Sequence, residues 1–531
     1  MKLTKLSLAM ASVLGAGFAA DAMALDLYVD TKTQQIFAEP GKGRVKLGSF
    51  EKVEDTAAHK AEADAQKAEI AQIKEDLALK NNELKALDEH VKDERFGELK
   101  FDEKGIKFES KDGNFEMAIN GRMQVDSQMN VANASPMTGS TPTSLANTTS
   151  GPEGDGQLAD GVNIRRARLG VEGHFYKDFE YKFEYDFSRG GNAGVAAGIT
   201  DAYINWKGYD PLGVKIGSFK EPFSLEEATS NRWITFIERN MAVNAFSDNP
   251  NSYKTGLGLT YSKPRWTAAG AIMTEPAGGG WAYTSSKGSN GNNNRNGASG
   301  DTGWELTGRV TGLPWFEDKT KFLHVGASGS QRYVNNNGSV TNGNGGFAFN
   351  STVNGNVDRT SILNTGILQN AAGTLTVDNI TRFGGETAFV YGPFSAQAEY
   401  IQADIDGKGY NNESLNGYYG YASYFLTGES RNYKAKTGAW DRLKPKRNFD
   451  MKGGLGAWEV AMGYDYLDLN DKAIKGGRAA TAKFGVNWYP NSHIKMMANF
   501  IHALEIQAPT TNVGYDGSNL DMFEMRGQVD F

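Results

Sequence analysis

The sequence predicts an all-β transmembrane barrel of about sixteen antiparallel strands, preceded by an α-helical coiled coil. Three observations carry this expectation. The chain opens on an export leader, apolar and polar residues alternate from about residue 97 to the last residue, and the connections between alternating segments are short at one end and long at the other. With 39% hydrophobic content over 531 residues there is ample apolar material, yet no stretch beyond the leader reads as a membrane-spanning helix. Absence of cysteine excludes a disulfide framework and all thiolate chemistry, so an exported chain of this length needs another source of stability, which a closed hydrogen-bonded barrel supplies. The 64 glycines, 22 tyrosines and 28 phenylalanines, against 14 prolines, suit many strands with flexible connections and interfacial aromatic girdles. The formal charge is -7, so any preference for anions has to come from local clusters.

The elements follow in order. Lys2 and Lys5 precede an apolar run that ends in Ala22-Met23-Ala24, a small-residue cleavage site, so residues 1–24 form the expected signal peptide and the mature chain starts at Leu25. A short mature segment, 25–55, leads into 56–95, which is rich in Ala, Glu and Lys and contains neither Gly nor Pro. There Ile70, Ile73, Leu77, Leu84, Leu87 and Val91 hold the a and d positions of a heptad that only Lys80 interrupts. The opposite face is charged throughout, which favours a coiled coil over a solvated single helix, and Ile at both a and d favours three strands.

From 97 to 531 the period is two. "FEMAINGRMQVD" sets Phe115, Met117, Ile119, Met123 and Val125 against Glu116, Asn120, Arg122, Gln124 and Asp126. "FEYKFEYDFS" does the same with Phe179, Tyr181, Phe183, Tyr185 and Phe187 against Glu180, Lys182, Glu184, Asp186 and Ser188. Further runs begin near 201, 254, 266, 303, 322, 383, 394, 457, 481 and 494, with unread stretches around 213 and 420–435. Tight turns such as "YKD", "SKPR" and "YPNSH" join some pairs; Gly/Asn/Ser/Thr-rich segments at 275–302, 333–380 and 505–518 join others and read as external loops. A soluble sandwich would not put charges along one face of nearly every strand and Trp206, Trp266, Trp304, Trp458 and Trp488 at the ends of the other; lipid outside and water inside would. The terminal "DMFEMRGQVDF" continues the alternation to Phe531 and reads as the closing strand, pairing with residues near 115–126.

The segments "NIRRARLGVEGHFYKDFEYKFEYDFS", "EEATSNRWITFIERN", "YFLTGESRNYK", "GAWEVAMGYDYLDL" and "GVNWYPN" resemble the phosphate-selective porin O/P family of Gram-negative bacteria, over about residue 113 to the C-terminus. The resemblance implies a trimeric outer-membrane barrel with anion-preferring pores narrowed by inward-folded loops, a coiled coil in the periplasm, and a terminal aromatic that outer-membrane assembly machinery reads. It implies anion-coordinating roles for Arg122, Arg165, Arg166 and Arg239 and an acidic neighbour at Asp201, with "GSFKEPFSLEEATSNRWITFIERN" as the loop that enters the lumen. Arg168, Lys220 and Arg232 lie among these motifs and complete the candidate pore-lining set. Arginine forks in a narrow passage can hydrogen-bond successive oxygens of an oxyanion. The alternative is that these arginines pair with Glu226, Glu227, Glu238 and Asp201 to hold the loop. Two departures weaken a phosphate site: Glu227 stands where phosphate-selective members carry lysine, and 333–380 lacks their arginine-rich external loop.

His90, His174, His324, His493 and His502 form no metal-ligating or catalytic spacing, and the glycine repeats open no phosphate-cradling helix. The expectation is a channel rather than an enzyme, without cofactor, metal or nucleic acid, whose partners are small anionic solutes, outer-membrane lipid, copies of itself and, through the coiled coil, the periplasm or cell wall. A non-selective diffusion pore and an envelope tether are the alternative functions.

Overall fold

The computed structural model describes residues 25–50, 57–91, 98–102, 105–132, 158–189, 198–248, 253–274, 303–334, 348–366, 368 and 374–531. The expected leader at 1–24 and external loop at 275–302 lie outside the described residues. Two compact units result, Met1–Asp93 and Glu94–Phe531.

In the first unit, Leu25–Asp30 pairs with Ile36–Phe37 and Arg44–Phe50 in an antiparallel three-stranded sheet. The helix α1, Ala57–Val91, follows. Its Ile70, Ile73, Leu77 and Leu84 are 50–63% exposed. These four stripe positions therefore have no cover among the described residues.

In the second unit sixteen strands, counted among the described residues, form a closed antiparallel barrel. They are β1 Phe115–Ala132, β2 Gly161–Phe175, β3 Phe179–Asp186, β4 Gly198–Tyr209, β5 Leu212–Lys220, β6 Tyr253–Ser262, β7 Trp266–Met273 and β8 Trp304–Asp318. The ring continues through β9 Lys321–Tyr333, β10 Asn379–Tyr391, β11 Phe394–Gly407, β12 Tyr410–Phe425, β13 Ala457–Asp471, β14 Ile474–Asn491, β15 Ile494–Gln507 and β16 Asp521–Asp530. Alternation does what the sequence requires of it. On β1, Asn120, Arg122, Gln124, Asp126 and Gln128 face the bore and are buried, whereas Met117 and Met123 face outward at 40% and 47% exposure.

The seam is more elaborate than expected. β16 pairs with β1 from Asp530↔Arg122 to Asp521↔Ala132, so it does not reach the first turn of β1. Phe531 and Gly121 exchange backbone hydrogen bonds at 3.0 and 3.1 Å. Beyond them the hairpin Glu98–Asp102 and Gly105–Glu109 takes over, pairing Ile106↔Ile119 through Glu109↔Glu116. The reason is length: β1 has 18 residues and β16 has 10, and an unpaired edge at a membrane wall leaves backbone groups unsatisfied. A Cβ on Gly121 would lie 2.6 Å from Cζ of Phe531, so the glycine is the notch that seats the terminal ring.

Three connections depart from the simple short-and-long scheme. The residues between β12 and β13, 426–456, form a long connection at the tight-turn end, which is why the stretch at 420–435 was hard to read: β12 ends at Phe425. At the opposite end, β11–β12 and β13–β14 close through tight turns at Gly407↔Tyr410 and Asp471↔Ile474. The segment 348–366, expected as part of an external loop, instead folds into the bore. Phe349, Val353, Ile362 and Leu363 are buried there, Asn354 donates to Thr481 at 2.9 Å, and Asn356 bonds Asp126. Scattered among Asn, Gly and Ser, these four apolar side chains make no period, but they find a common core.

That core exists because the strands invert their polarity at the same end. On β11 the inward series runs Ser395, Gln397, Glu399 and then Ile401, Ala403, Ile405, all buried. Leu415, Leu467, Leu469 and Ala479 continue the apolar inner face. Outward, the register Gln402↔Asn416↔Asp468↔Arg478 forms a polar row just past the tyrosines Tyr400, Tyr418 and Tyr466. Tyrosines mark a membrane interface, and past it water lies outside, so the strands there pack like a soluble domain around inward-folded loops.

Candidate functional site in the lumen

The connection from β5 to β6, described over 221–248, crosses the bore. Its root is fixed by charge: Lys254 and Arg382 both bind Glu221 and Glu305, with the Arg382 guanidinium 2.9 Å from both oxygens of Glu221. A one-turn helix, α2, Leu225–Ala228, follows; Ser224 caps it by accepting the Glu227 N–H at 3.2 Å. Residues 231–237 then run along the far wall, where their carbonyls accept bonds from side chains of β1 and β14–β16. Gln124 donates to Asn231 (3.3 Å), Gln528 to Arg232 (3.3 Å), Lys495 to Ile234 (2.7 Å), Asn487 to Thr235 (2.9 Å) and Arg526 to Ile237 (2.5 Å). A second short helix, α3, Met241–Val243, completes the described crossing. The loop's own carbonyls could not reach water in a packed bore, so side-chain donors supply the partners.

The candidate residues gather around three carboxylates. Glu184 on β3 receives Arg122 at 2.7 Å on each oxygen, Arg168 at 2.9 Å and Arg232 at 3.6 Å. Arg168 also binds Asp186 at 2.8 Å. Glu238, in the loop, receives Arg165 at 2.9 and 3.0 Å, Arg526 at 2.9 Å and Arg166 at 3.7 Å. Burial would raise the Glu238 carboxyl, but Arg165, Arg166 and Arg526 outweigh it and hold the group well below the usual carboxylate range. Glu227 lies between Lys220 at 2.9 Å and Arg239 at 3.2 Å. Arg239 is fully buried and also donates to the carbonyls of Glu226 and Thr229, both at 3.1 Å. It splints the loop.

Asp201 stands apart. Its partner is Lys182 at 2.9 Å rather than one of the arginines. The bulge of β4 near this residue turns it toward β3. Arg526, Asp126, Glu221, Glu399 and Asp465 are structurally engaged residues that the sequence reading assigned no role; parity placed their strand members on the polar face, but alternation cannot say which strand lies opposite which loop. Several buried guanidinium nitrogens remain without an acceptor, namely Nε of Arg122, Arg166 and Arg232. Around Glu184 and Asp186 three cations, Arg122, Arg168 and Arg232, meet two carboxylates, a local excess of one positive charge. Among the described residues no group of His, Asp and Glu is arranged to hold a metal ion.

A closed antiparallel barrel with an apolar outer wall, a charged inner wall and a loop folded across the bore defines a porin, a membrane channel built of strands. The chain belongs to the family of phosphate-selective porins O and P, whose sequence profile matches residues 145–531. It is 27% identical to Porin O of Pseudomonas aeruginosa over 383 residues, covering 68% of this chain and 81% of that protein. An uncharacterized protein of Caulobacter vibrioides is 28% identical over 347 residues, 65% of this chain and 63% of its own length. Among solved structures, the anion-selective porin of Comamonas acidovorans is similar with a TM-score of 0.44 at 12% identity, over 78% of this chain and all of that one. Family membership accords with an outer-membrane channel.

Proposed function

We propose that the channel conducts small anions by passive diffusion and that it lacks a tight phosphate site. The observation that supports the first half is the arrangement around Glu184: Arg122, Arg168 and Arg232 exceed the charge of Glu184 and Asp186. That local excess of positive charge favours a passing anion over a cation. The second half rests on Glu227. Its carboxylate engages Lys220 and Arg239, two of the cations that a phosphate would need, and adds a negative charge of its own.

In this reading the tight-turn end faces the periplasm, and α1 associates with the same helix of two further copies, giving a homotrimer whose coiled coil carries any periplasmic or cell-wall contact. The exposed Ile70, Ile73, Leu77 and Leu84 of α1 support that association. No catalytic role is assigned.

The test is planar-bilayer recording of the full-length channel. Under a potassium chloride gradient the reversal potential should have the sign of anion preference; the cation sign would overturn the reading. Exchange of Glu227→Lys adds two positive units beside Lys220 and Arg239 and should make inorganic phosphate block the chloride current. Phosphate block of the same strength before the exchange would refute the claim that Glu227 disables the site.

A further inference from the structure

The crossing loop is rooted between β5 and β6, and β13 lies eight strands from β5, half-way round a ring of sixteen. Two carboxylates on the far side of the bore reach the backbone of its two short helices. Glu399 of β11 accepts the N–H of Leu225 at 3.0 Å and that of Glu226 at 2.7 Å, the first two donors of α2. Asp465 of β13 accepts the N–H of Met241, the first donor of α3, at 2.8 Å. Opening N–H groups of a helical turn have no partner inside the turn, so a buried loop helix must take an outside acceptor or lose a hydrogen bond. Both acceptors are themselves held: Tyr419 donates to Glu399, and Lys483 lies 3.3 Å from Asp465 while also donating to Asn240 of the loop.

The wall is shaped to the same docked position. A Cβ on Gly417 would lie 2.8 Å from the Cβ of Ala242, and one on Gly485 3.2 Å from the ring of Phe236. Loop side chains occupy the space that those glycines leave.

We propose that Glu399 and Asp465 are the positioning residues that set the width and selectivity of the channel, by latching the two helical turns of the loop to the opposite wall. Neither needs to meet a solute. Most other contacts bind the loop's carbonyls or side chains, and Asn499 accepts the N–H of Ile237 outside the helical turns; these two carboxylates accept the N–H groups that open the turns. Removing a latch frees one helical turn to swing toward its root, widening the passage and drawing Arg232 away from Glu184 and Glu238 away from Arg165, Arg166 and Arg526. The proposal rests on the pore itself and not on the sign of its selectivity.

Single-channel conductance and reversal potential of Glu399→Ala, Glu399→Gln and Asp465→Ala, in the full-length protein, test it. The alanine variants should raise conductance by at least about two-fold and move the reversal potential toward zero. Gln keeps the shape and one acceptor oxygen, so Glu399→Gln should fall between wild type and Glu399→Ala. Unchanged conductance in all three variants overturns the latch. So does an equal shift of reversal potential in the Gln and Ala variants at unchanged conductance, which is the mark of a purely electrostatic role. Should Glu399→Ala fail to insert, Glu399→Gln decides alone: a raised conductance supports the latch and a wild-type value refutes it.

Discussion

Arg526 illustrates how far a single inward side chain can be committed. Its guanidinium meets both oxygens of Asp126 at 2.7 Å, Glu238 at 2.9 Å and the carbonyl of Ile237 at 2.5 Å, with no exposure of the side chain. Truncation would leave a buried carboxylate pair facing an empty volume. Arg526→Ala should therefore cost about 3–5 kcal/mol, the usual penalty for breaking one side of a buried ion pair, read as a lower urea midpoint of the folded barrel. A loss below about 1 kcal/mol, the range of surface pairs, would mean that Asp126 and Glu238 are hydrated. The polar face carrying Arg526 was legible from alternation alone, since Glu524, Arg526, Gln528 and Asp530 recur at a period of two. Its partners were not: Asp126 lies 400 residues earlier in the chain, and only barrel closure brings them together. The same limit explains why Asp201 was matched with arginines although its partner is Lys182.

At the scale of elements, long and strongly periodic segments were the ones the sequence revealed. The helix over Ala57–Val91 falls within the expected 56–95, because a charged face and an apolar stripe repeat over several turns. Its stripe stays exposed in the single chain. Deleting 56–95 should leave the barrel foldable while the proposed trimer dissociates on dilution in detergent, followed by light scattering; a trimer that persists unchanged would show that the helix is dispensable for assembly. Short and aperiodic elements were less visible. α2 and α3 are helices of four and three residues, set by wall acceptors rather than by propensity. The inward fold of 348–366 depends on four apolar side chains spaced without regularity, and the long 426–456 at the tight-turn end, with the tight β11–β12 and β13–β14 turns at the other, breaks the short-and-long alternation.

For the whole molecule, closure is the decisive event. β16, Phe531 and the hairpin 98–109 divide the edge of β1 among them, and the ring of Phe531 sits over Gly121. Removing Phe531 deletes the backbone exchange with Gly121 and the terminal aromatic together. We expect a sharp fall in membrane-inserted protein, measured by heat-modifiable gel migration of outer-membrane fractions, with near-normal conductance in the channels that do assemble. Normal levels of the truncated chain would show that neither the contact nor the terminal ring guides assembly.

The order of the chain by itself determined the barrel, its outward and inward faces, the helix ahead of it and the loop that enters the bore, because each is written in local periodicity or motif. The tertiary structure decided what the inward charges do. Arg239 and Lys220 hold Glu227, Arg165 and Arg526 hold Glu238, Arg122, Arg168 and Arg232 gather on Glu184, and Glu399 and Asp465 hold the loop. Pairing depends on which strands face each other across a closed ring, and on the depth to which loops descend, and neither distance is encoded in a two-residue period.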